Sequence, residues 1–237
     1  MNMIHYIPIA TTIFGLFFFR ILFNHWKRNK NSLHVFWWML GVLCYIAGTI
    51  SESVNTLAGF SIANFKVWYV TGALLGGAPL AQGTVYLLFK RKTANVLTVI
   101  LTIFIITSAL LVILSPINTE FITGRLTGKL LGWKFIRYMT PFINLYAFIF
   151  LVGGAVFSAI KYAKNIQYKK RFTGNLLIAV GGLLPGIGGS FTKFGYVEVL
   201  YVTEFIGLLF IYLGYKVIRS DSNVSAHQNQ QYELQSQ

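Results

Sequence analysis

YVEVLYVTEFIGLLFIYLGYKVI, residues Tyr196 to Ile218, decides the class of this chain. A helix needs about 20 predominantly apolar residues to cross a bilayer, and this stretch has the length. It also carries a carboxylate well inside it. Glu204 follows Tyr196 by eight positions, which at helical rise puts it about 12 Å below the end where the stretch begins. An unpaired charge inside a membrane helix costs at least about 2.5–3.5 kcal/mol on insertion scales. A residue present despite that cost is a functional-site candidate, and the rest of the chain has to supply its partners.

Working outward from this stretch, six more apolar runs precede it: residues 4–26, 33–55, 67–89, 93–115, 134–160 and 172–191. With 196–218 they predict an all-α membrane protein, a bundle of seven transmembrane helices over residues 1–219, followed by a disordered polar tail, 220–237. The lengths fit helices rather than the roughly 10-residue alternating segments of a membrane barrel. Backbone groups in lipid must bond one another, which favours helices again. Composition agrees: the chain is 55% hydrophobic and 11% charged, against about 25% charged in soluble domains.

Twenty Lys and Arg against six Asp and Glu give a formal charge of +14. The basic residues lie in short connections between apolar runs, where topology explains them, so nucleic acid is not expected as a partner. Lys27, Arg28 and Lys30 follow the first run, Lys90, Arg91 and Lys92 the third, and Lys161, Lys164, Lys169, Lys170 and Arg171 the fifth. Lys216 and Arg219 close the seventh. The even connections hold fewer: Lys66, then Arg125, Lys129 and Lys134, then Lys193. The positive-inside rule therefore predicts an N-terminus outside and a C-terminus in the cytoplasm. The expected location is the plasma membrane, with the bilayer itself as the first partner. The N-terminus lacks the basic start of a cleavable signal and reads as the first membrane helix.

On this topology Glu204 and Glu52 share the outer half. Glu52 stands near the outer end of the second run among Ser51, Ser53 and Asn55, and Tyr201 precedes Glu204 by three positions on the same helical face. An outward-facing polar pocket of Glu204, Tyr201, Glu52 and Gln82 is the candidate site for a small ligand or ion. The plainer alternatives are a hydrogen bond from Tyr201 to Glu204, a base such as Arg137 or Lys193 paired with Glu204, a polar cap role for Glu52, and an interhelical link through Gln82. Gly72-x-x-x-Gly76 and Gly182-x-x-x-Gly186 have the spacing that lets membrane helices approach closely. Pro185 lies inside the second of these and removes a backbone donor. Gly182, Pro185 and Gly186 are therefore the expected hinge, or the expected kink.

Connection 116–133 carries Phe121, Ile122, Leu126, Leu130 and Leu131 among polar residues, which predicts a short interfacial helix or a loop resting on headgroups. Cys44, the single cysteine, reads as a packing residue. His5, His25, His34 and His227 show no metal-ligand spacing, and no cofactor pattern stands out, so catalytic, metal and cofactor sites are not expected. A retinal Schiff base needs a lysine midway along the seventh run, and the nearest are Lys193 and Lys216.

The aromatic placement in FWWMLGVLCYIAGTISES (36–53) and FKVWYVTGALLGG (65–77) resembles heptahelical sensory modules found ahead of bacterial signalling domains, over about one quarter of the chain. That resemblance implies sensing or ligand binding, with a separate membrane or cytoplasmic protein to receive the signal. A small secondary transporter or proton-coupled carrier is the second expectation, and an accessory membrane subunit the third.

Overall fold

A computed structural model describes residues 3–122, 124–192 and 194–235, with side chains described as far as Asp221. Its helices in chain order are α1 (Ile7–Arg28), α2 (Leu33–Ala58), α3 (Ile62–Trp68), α4 (Ala78–Leu88), α5 (Arg91–Leu114), α6 (Ile136–Ala147), α7 (Gly154–Ala163), α8 (Lys169–Thr192) and α9 (Val197–Gln235). A π-helical stretch, Phe148–Gly153, joins α6 to α7 without a break. Among the described residues there is no strand, only an isolated antiparallel bridge between Ile117 and Leu131. Six helical stretches are long and apolar enough to cross a membrane: Met3–Arg28, Leu33–Ala58, Arg91–Leu114, Ile136–Ala163, Ile166–Thr192 and Val197–Asp221. The chain is a multi-pass helical protein of the membrane type. Side chains such as Val99, Ile103, Ile106 and Leu110 on α5 remain exposed on the bundle, as a lipid-facing surface requires.

The third apolar run departs from the expected single helix over 67–89. It starts earlier, at Ile62, where the Ser61 hydroxyl accepts from the Asn64 N–H at 3.2 Å and caps α3. A π-helical stretch, Tyr69–Leu74, follows, and the helix is then interrupted until α4 begins at Ala78. The sequence Gly76-Gly77-Ala78-Pro79 accounts for the interruption. Glycine holds a helix weakly, and proline has no N–H to donate, so Pro79 sits in the first turn of a new helix.

Even so, the whole segment 62–88 lies antiparallel along α2. Asn64 Nδ2 donates to the Ser51 carbonyl at 2.8 Å near one end. A Cβ on Gly48 would stand 3.1 Å from Gly72 Cα in the middle, and one on Gly41 would meet the backbone N of Leu80 at 2.9 Å. At the far end a side chain on Gly83 would collide with the Trp38 ring. Gly72 thus does bring two helices close, with Gly48 rather than another position of its own run as its counterpart.

α1 and α9 run parallel. His5 faces Glu198 at one end, and His25 Nδ1 lies 2.7 Å from the Tyr215 hydroxyl at the other. α8 and α9 form the tightest antiparallel pair. A Cβ on Gly181 would stand 2.6 Å from the Gly207 carbonyl, and one on Gly174 would stand 2.9 Å from the Gly214 carbonyl. Gly174, Gly181 and Gly188 are seven apart, as are Gly207 and Gly214, so the seam is a heptad of glycines. The pair read from spacing, Gly182 and Gly186, is not on this seam. A Cβ on Gly182 would face Leu151 and Val152, and Gly186 has nothing within 4 Å. α8 passes through Pro185 as one helix, with the proline ring against Gly207, where no side chain stands in its way.

Connection 116–133 is neither a helix nor a loose loop. Two short 3-10 turns, Thr119–Phe121 and Gly128–Leu130, are held by Asn118 N–H to Leu130 O (2.8 Å) and Gly132 N–H to Pro116 O (2.8 Å). Leu126, Leu130 and Leu131 are buried with Phe65, Tyr69 and Val112 rather than laid on headgroups. The loop is tied down by Asn55 Nδ2 donating to Gly124 O and by Arg125 Nη1 donating to Gly195 O, both at 2.9 Å. It caps the end of the bundle that holds His5 and Glu198. Of the expected tail, residues 222–237 lie outside those with described side chains, as do Lys193 and His227 altogether or in part.

Candidate functional site

Near the capped end, α2, α3 and α9 bring two carboxyl groups together. Glu52 is 2% exposed, and Glu204 is half-buried. The two lie within hydrogen-bonding reach of one another. Their meeting follows from local packing. Gly48 and Gly72 let the third segment close on α2, which carries Trp68 to Glu52. Tyr45, two turns before Glu52 on the same face, reaches across to α9 and donates its hydroxyl proton to the Glu204 carbonyl at 2.9 Å. That bond fixes the level of α9 against α2.

The partners of the pair are few. Trp68 Nε1 donates to Glu52 Oε1 at 3.0 Å. Glu52 Oε2 is buried and receives no hydrogen bond, and neither does the buried Oδ1 of Asn55, one turn on. No basic side chain stands within ion-pair distance of Glu52 or Glu204 among the described residues. Arg137 is near Tyr69 instead, and Lys193 lies outside the described residues. Two carboxyl groups in contact attract only when a proton or another cation lies between them, because two carboxylates at that distance repel. Among the described residues the arrangement therefore has hard oxygen acceptors in surplus and no fixed positive charge to meet them.

Tyr201 is 5% exposed, one turn from Glu204. Its ring meets the His5 ring edge-on at 6.2 Å between centroids, and His5 Nε2 is 3.6 Å from Glu198. Tyr201, Glu204 and Glu52 are thus neighbours at one end of the bundle.

Gln82 belongs to a different network. Its Nε2 donates to Ala94 O (3.2 Å) and Thr98 Oγ1 (2.8 Å), and Tyr146 donates to its Oε1. Thr98 Oγ1 donates to the Tyr86 hydroxyl at 3.0 Å, which donates to Asn95 Oδ1 at 2.9 Å. These bonds tie α4 to α5 and α6 and leave Gln82 with its amide engaged on both sides. Gly182, Pro185 and Gly186 lie in α8 and touch neither carboxyl in any recorded hydrogen bond or ring contact. Sequence reasoning missed Trp68, Tyr45 and His5 as neighbours of the site. The spacing of Tyr45, Gly48, Glu52 and Asn55 places them on one face of α2, which was the available signal.

No protein-family model matches the chain, and neither a curated protein nor a solved structure matches it.

Proposed function

We propose that the chain is a seven-pass membrane protein, sensory or ligand-binding in kind, whose site is the Glu52–Glu204 pair and whose ligand is a proton or a small cation. The observation that carries this reading is the meeting of buried Glu52 with half-buried Glu204, where two buried oxygens, Glu52 Oε2 and Asn55 Oδ1, receive no donated hydrogen bond. Ionisable groups inside membrane bundles mark ion and proton sites because their burial is so costly otherwise.

The seventh crossing is the interrupted segment 62–88. It spans the length of α2, and it supplies the odd number of passes that parallel α1 and α9 require. The basic clusters after the first, third, fifth and seventh passes support an outside N-terminus, a cytoplasmic C-terminus and a plasma-membrane location. Residues 1–219 are then the membrane domain and 220–237 a polar tail. The carboxyl pair and the loop over it face outward.

The test is equilibrium binding to purified protein of a panel of small cations and organic amines, with Glu204→Gln in parallel. Glu204→Gln keeps the shape and removes one charge, so the ligand is lost while the fold persists. A ligand bound equally by both proteins removes Glu204 from the site.

A second reading, a small proton-coupled carrier, is favoured by the interruption at Leu75–Gly77. Discontinuous membrane helices expose backbone groups where substrates bind, and Gly182, Pro185 and Gly186 would be the flexing part of α8. Substrate-dependent flux in proteoliposomes favours the carrier. Saturable binding without flux favours the sensor, which would pass its signal to a membrane or cytoplasmic protein partner.

A further inference from the structure

We infer that the groove between α1 and α9 beside His25 holds an anionic phospholipid, its phosphate at Lys216 and Arg219. The groove has a volume of about 260 Å³ and is lined by Ile21, Tyr212, Tyr215, Lys216, Arg219 and Ser220. Its floor is apolar: the Ile21 side chain and the rings of Tyr212 and Tyr215. Its rim is cationic.

Arg219 is held in place rather than left to wander. Its Nη1 donates to the Tyr215 hydroxyl at 3.1 Å, and its guanidinium stands 5.9 Å from the centre of the Tyr215 ring. The same hydroxyl lies 2.7 Å from His25 Nδ1 on α1, so the two helices share the anchor. A guanidinium has five N–H donors in a fixed fork, a shape suited to phosphate oxygens. Only one of Arg219's donors is engaged among the described residues. Lys216, one turn earlier, is exposed and makes no hydrogen bond among the described residues.

Neither cation has a counter-ion among the described residues. The two ion pairs among the described residues are His5–Glu198, at the other end, and Arg171–Asp221. Further positive charge gathers on α1: Arg28 is an electrostatic neighbour of His25, and Arg20 stands one turn from Phe17, whose ring packs on Tyr212 at 5.7 Å. Uncompensated cations gathered at one end of a bundle repel unless an anion joins them.

Depth selects the anion. Lys216 and Arg219 stand at the close of the apolar span Val197–Asp221, the level of a headgroup layer. A free phosphate would satisfy the rim and leave the apolar floor bare. A phospholipid with a negatively charged headgroup covers both, and basic pockets between membrane helices at this depth are suited to such headgroups. This inference needs only that the chain lies in a bilayer, so it stands apart from the reading of Glu52 and Glu204.

The test uses the full chain, purified in a neutral detergent, mixed with phosphatidylglycerol or phosphatidylcholine and weighed intact by native mass spectrometry. Wild type retains phosphatidylglycerol in preference to phosphatidylcholine. Lys216→Gln lowers its affinity about fivefold, and Lys216→Gln with Arg219→Gln lowers it roughly 25-fold, from the electrostatic contribution of each surface cation. Lys169→Gln with Lys170→Gln removes two exposed charges elsewhere and leaves retention unchanged. Should the double variant not fold, Lys216→Gln alone decides, because that side chain is exposed and supports no contact.

Equal retention by Lys216→Gln and wild type overturns the site. So does an equal loss from the Lys169–Lys170 variant, which would mean diffuse attraction, or equal retention of phosphatidylcholine. Complete displacement of the lipid by millimolar inorganic phosphate would assign the groove to free phosphate instead.

Discussion

Replacing Gly181 and Gly186 by alanine, one at a time, separates packing from motion in α8. Both are glycines of α8, five positions apart, yet their environments differ. A Cβ at 181 would stand 2.6 Å from the Gly207 carbonyl oxygen and 2.9 Å from the Ile211 nitrogen, both backbone atoms of α9. Neither can rotate away, so reaching the 3.4 Å of an ordinary contact means moving the helices apart by about 0.8 Å, the difference between 3.4 and 2.6 Å. Overpacking of this kind costs about 1–3 kcal/mol. A Cβ at 186 would meet nothing within 4 Å. Each variant also gains about 1 kcal/mol from the better helix propensity of alanine. That gain cancels in the comparison, so Gly181→Ala should be less stable than Gly186→Ala by the overpacking cost alone, about 1–3 kcal/mol. The assay is unfolding in mixed micelles with increasing denaturing detergent, followed by helical circular dichroism. Equal stability of the two variants would refute the glycine seam. Gly186→Ala also addresses the hinge: if α8 flexes there during function, this variant alters ligand response or flux while its stability stays at or above wild type.

Trp68→Phe keeps an aromatic ring but takes the N–H from Glu52 Oε1, and the loss should be about 1.5–3 kcal/mol for a bond to a charged acceptor. In a double-mutant cycle with Glu52→Gln the two effects should fail to add, and additivity within about 0.5 kcal/mol would show that the bond contributes nothing. Gln82→Leu leaves Tyr146 and Thr98 without their amide partner and should cost about 1–3 kcal/mol by the same denaturation assay. It should leave cation binding unchanged, and a binding defect matching that of Glu204→Gln would return Gln82 to the site.

Much of this was legible because depth in a membrane is nearly a linear function of residue number. Counting 1.5 Å per residue put Glu52 near the outer end and Glu204 about 12 Å below it, in the same half, and the packing of α2 on α9 brings the two carboxyls near one another. The break in the third segment, at Gly76-Gly77-Ala78-Pro79, departs from the single helix expected over 67–89, because a hydropathy window averages those residues away. Azimuth was harder. That Trp68 faces Glu52 depends on Gly48 and Gly72 touching, and the π-helical stretch just after Trp68 turns the following residues to a different face than ideal α-helix would. On α8 the four-residue spacing of Gly182 and Gly186 is the pattern visible within one helix, while the seven-residue spacing of Gly174, Gly181 and Gly188 builds the seam. The second pattern becomes compelling only beside Gly207 and Gly214 on the partner helix. The leucines of 116–133 have an interfacial pattern in isolation. Their burial follows from the presence of Phe65 and Tyr69 across the loop, which a one-dimensional reading does not contain.

The charge inventory sharpens the case for the carboxyl pair. With 20 cations and six acids, the chain has bases enough to give every carboxylate a partner. Ion pairing among the described residues uses acids sparingly: Glu198 faces His5 and Asp221 faces Arg171. Glu204, the acid whose placement inside a membrane helix is the most costly, is set against another acid. Arg125 comes near, since it acts electrostatically on Tyr201, yet its guanidinium donates to Gly195 O. Among the described residues, position rather than supply therefore keeps a fixed positive charge away from the pair. A structural ion pair at this depth would need a single lysine or arginine on a neighbouring face of α1 or α2. The polar residues flanking Glu52 in α2 are Thr49, Ser51 and Ser53, whose hydroxyls donate to carbonyls of their own helix. Hydroxyls turned back onto the backbone give the pair no compensation. Among the described residues no basic side chain joins Glu52 to Glu204, and that lack is the physical basis for expecting a proton or a small cation there.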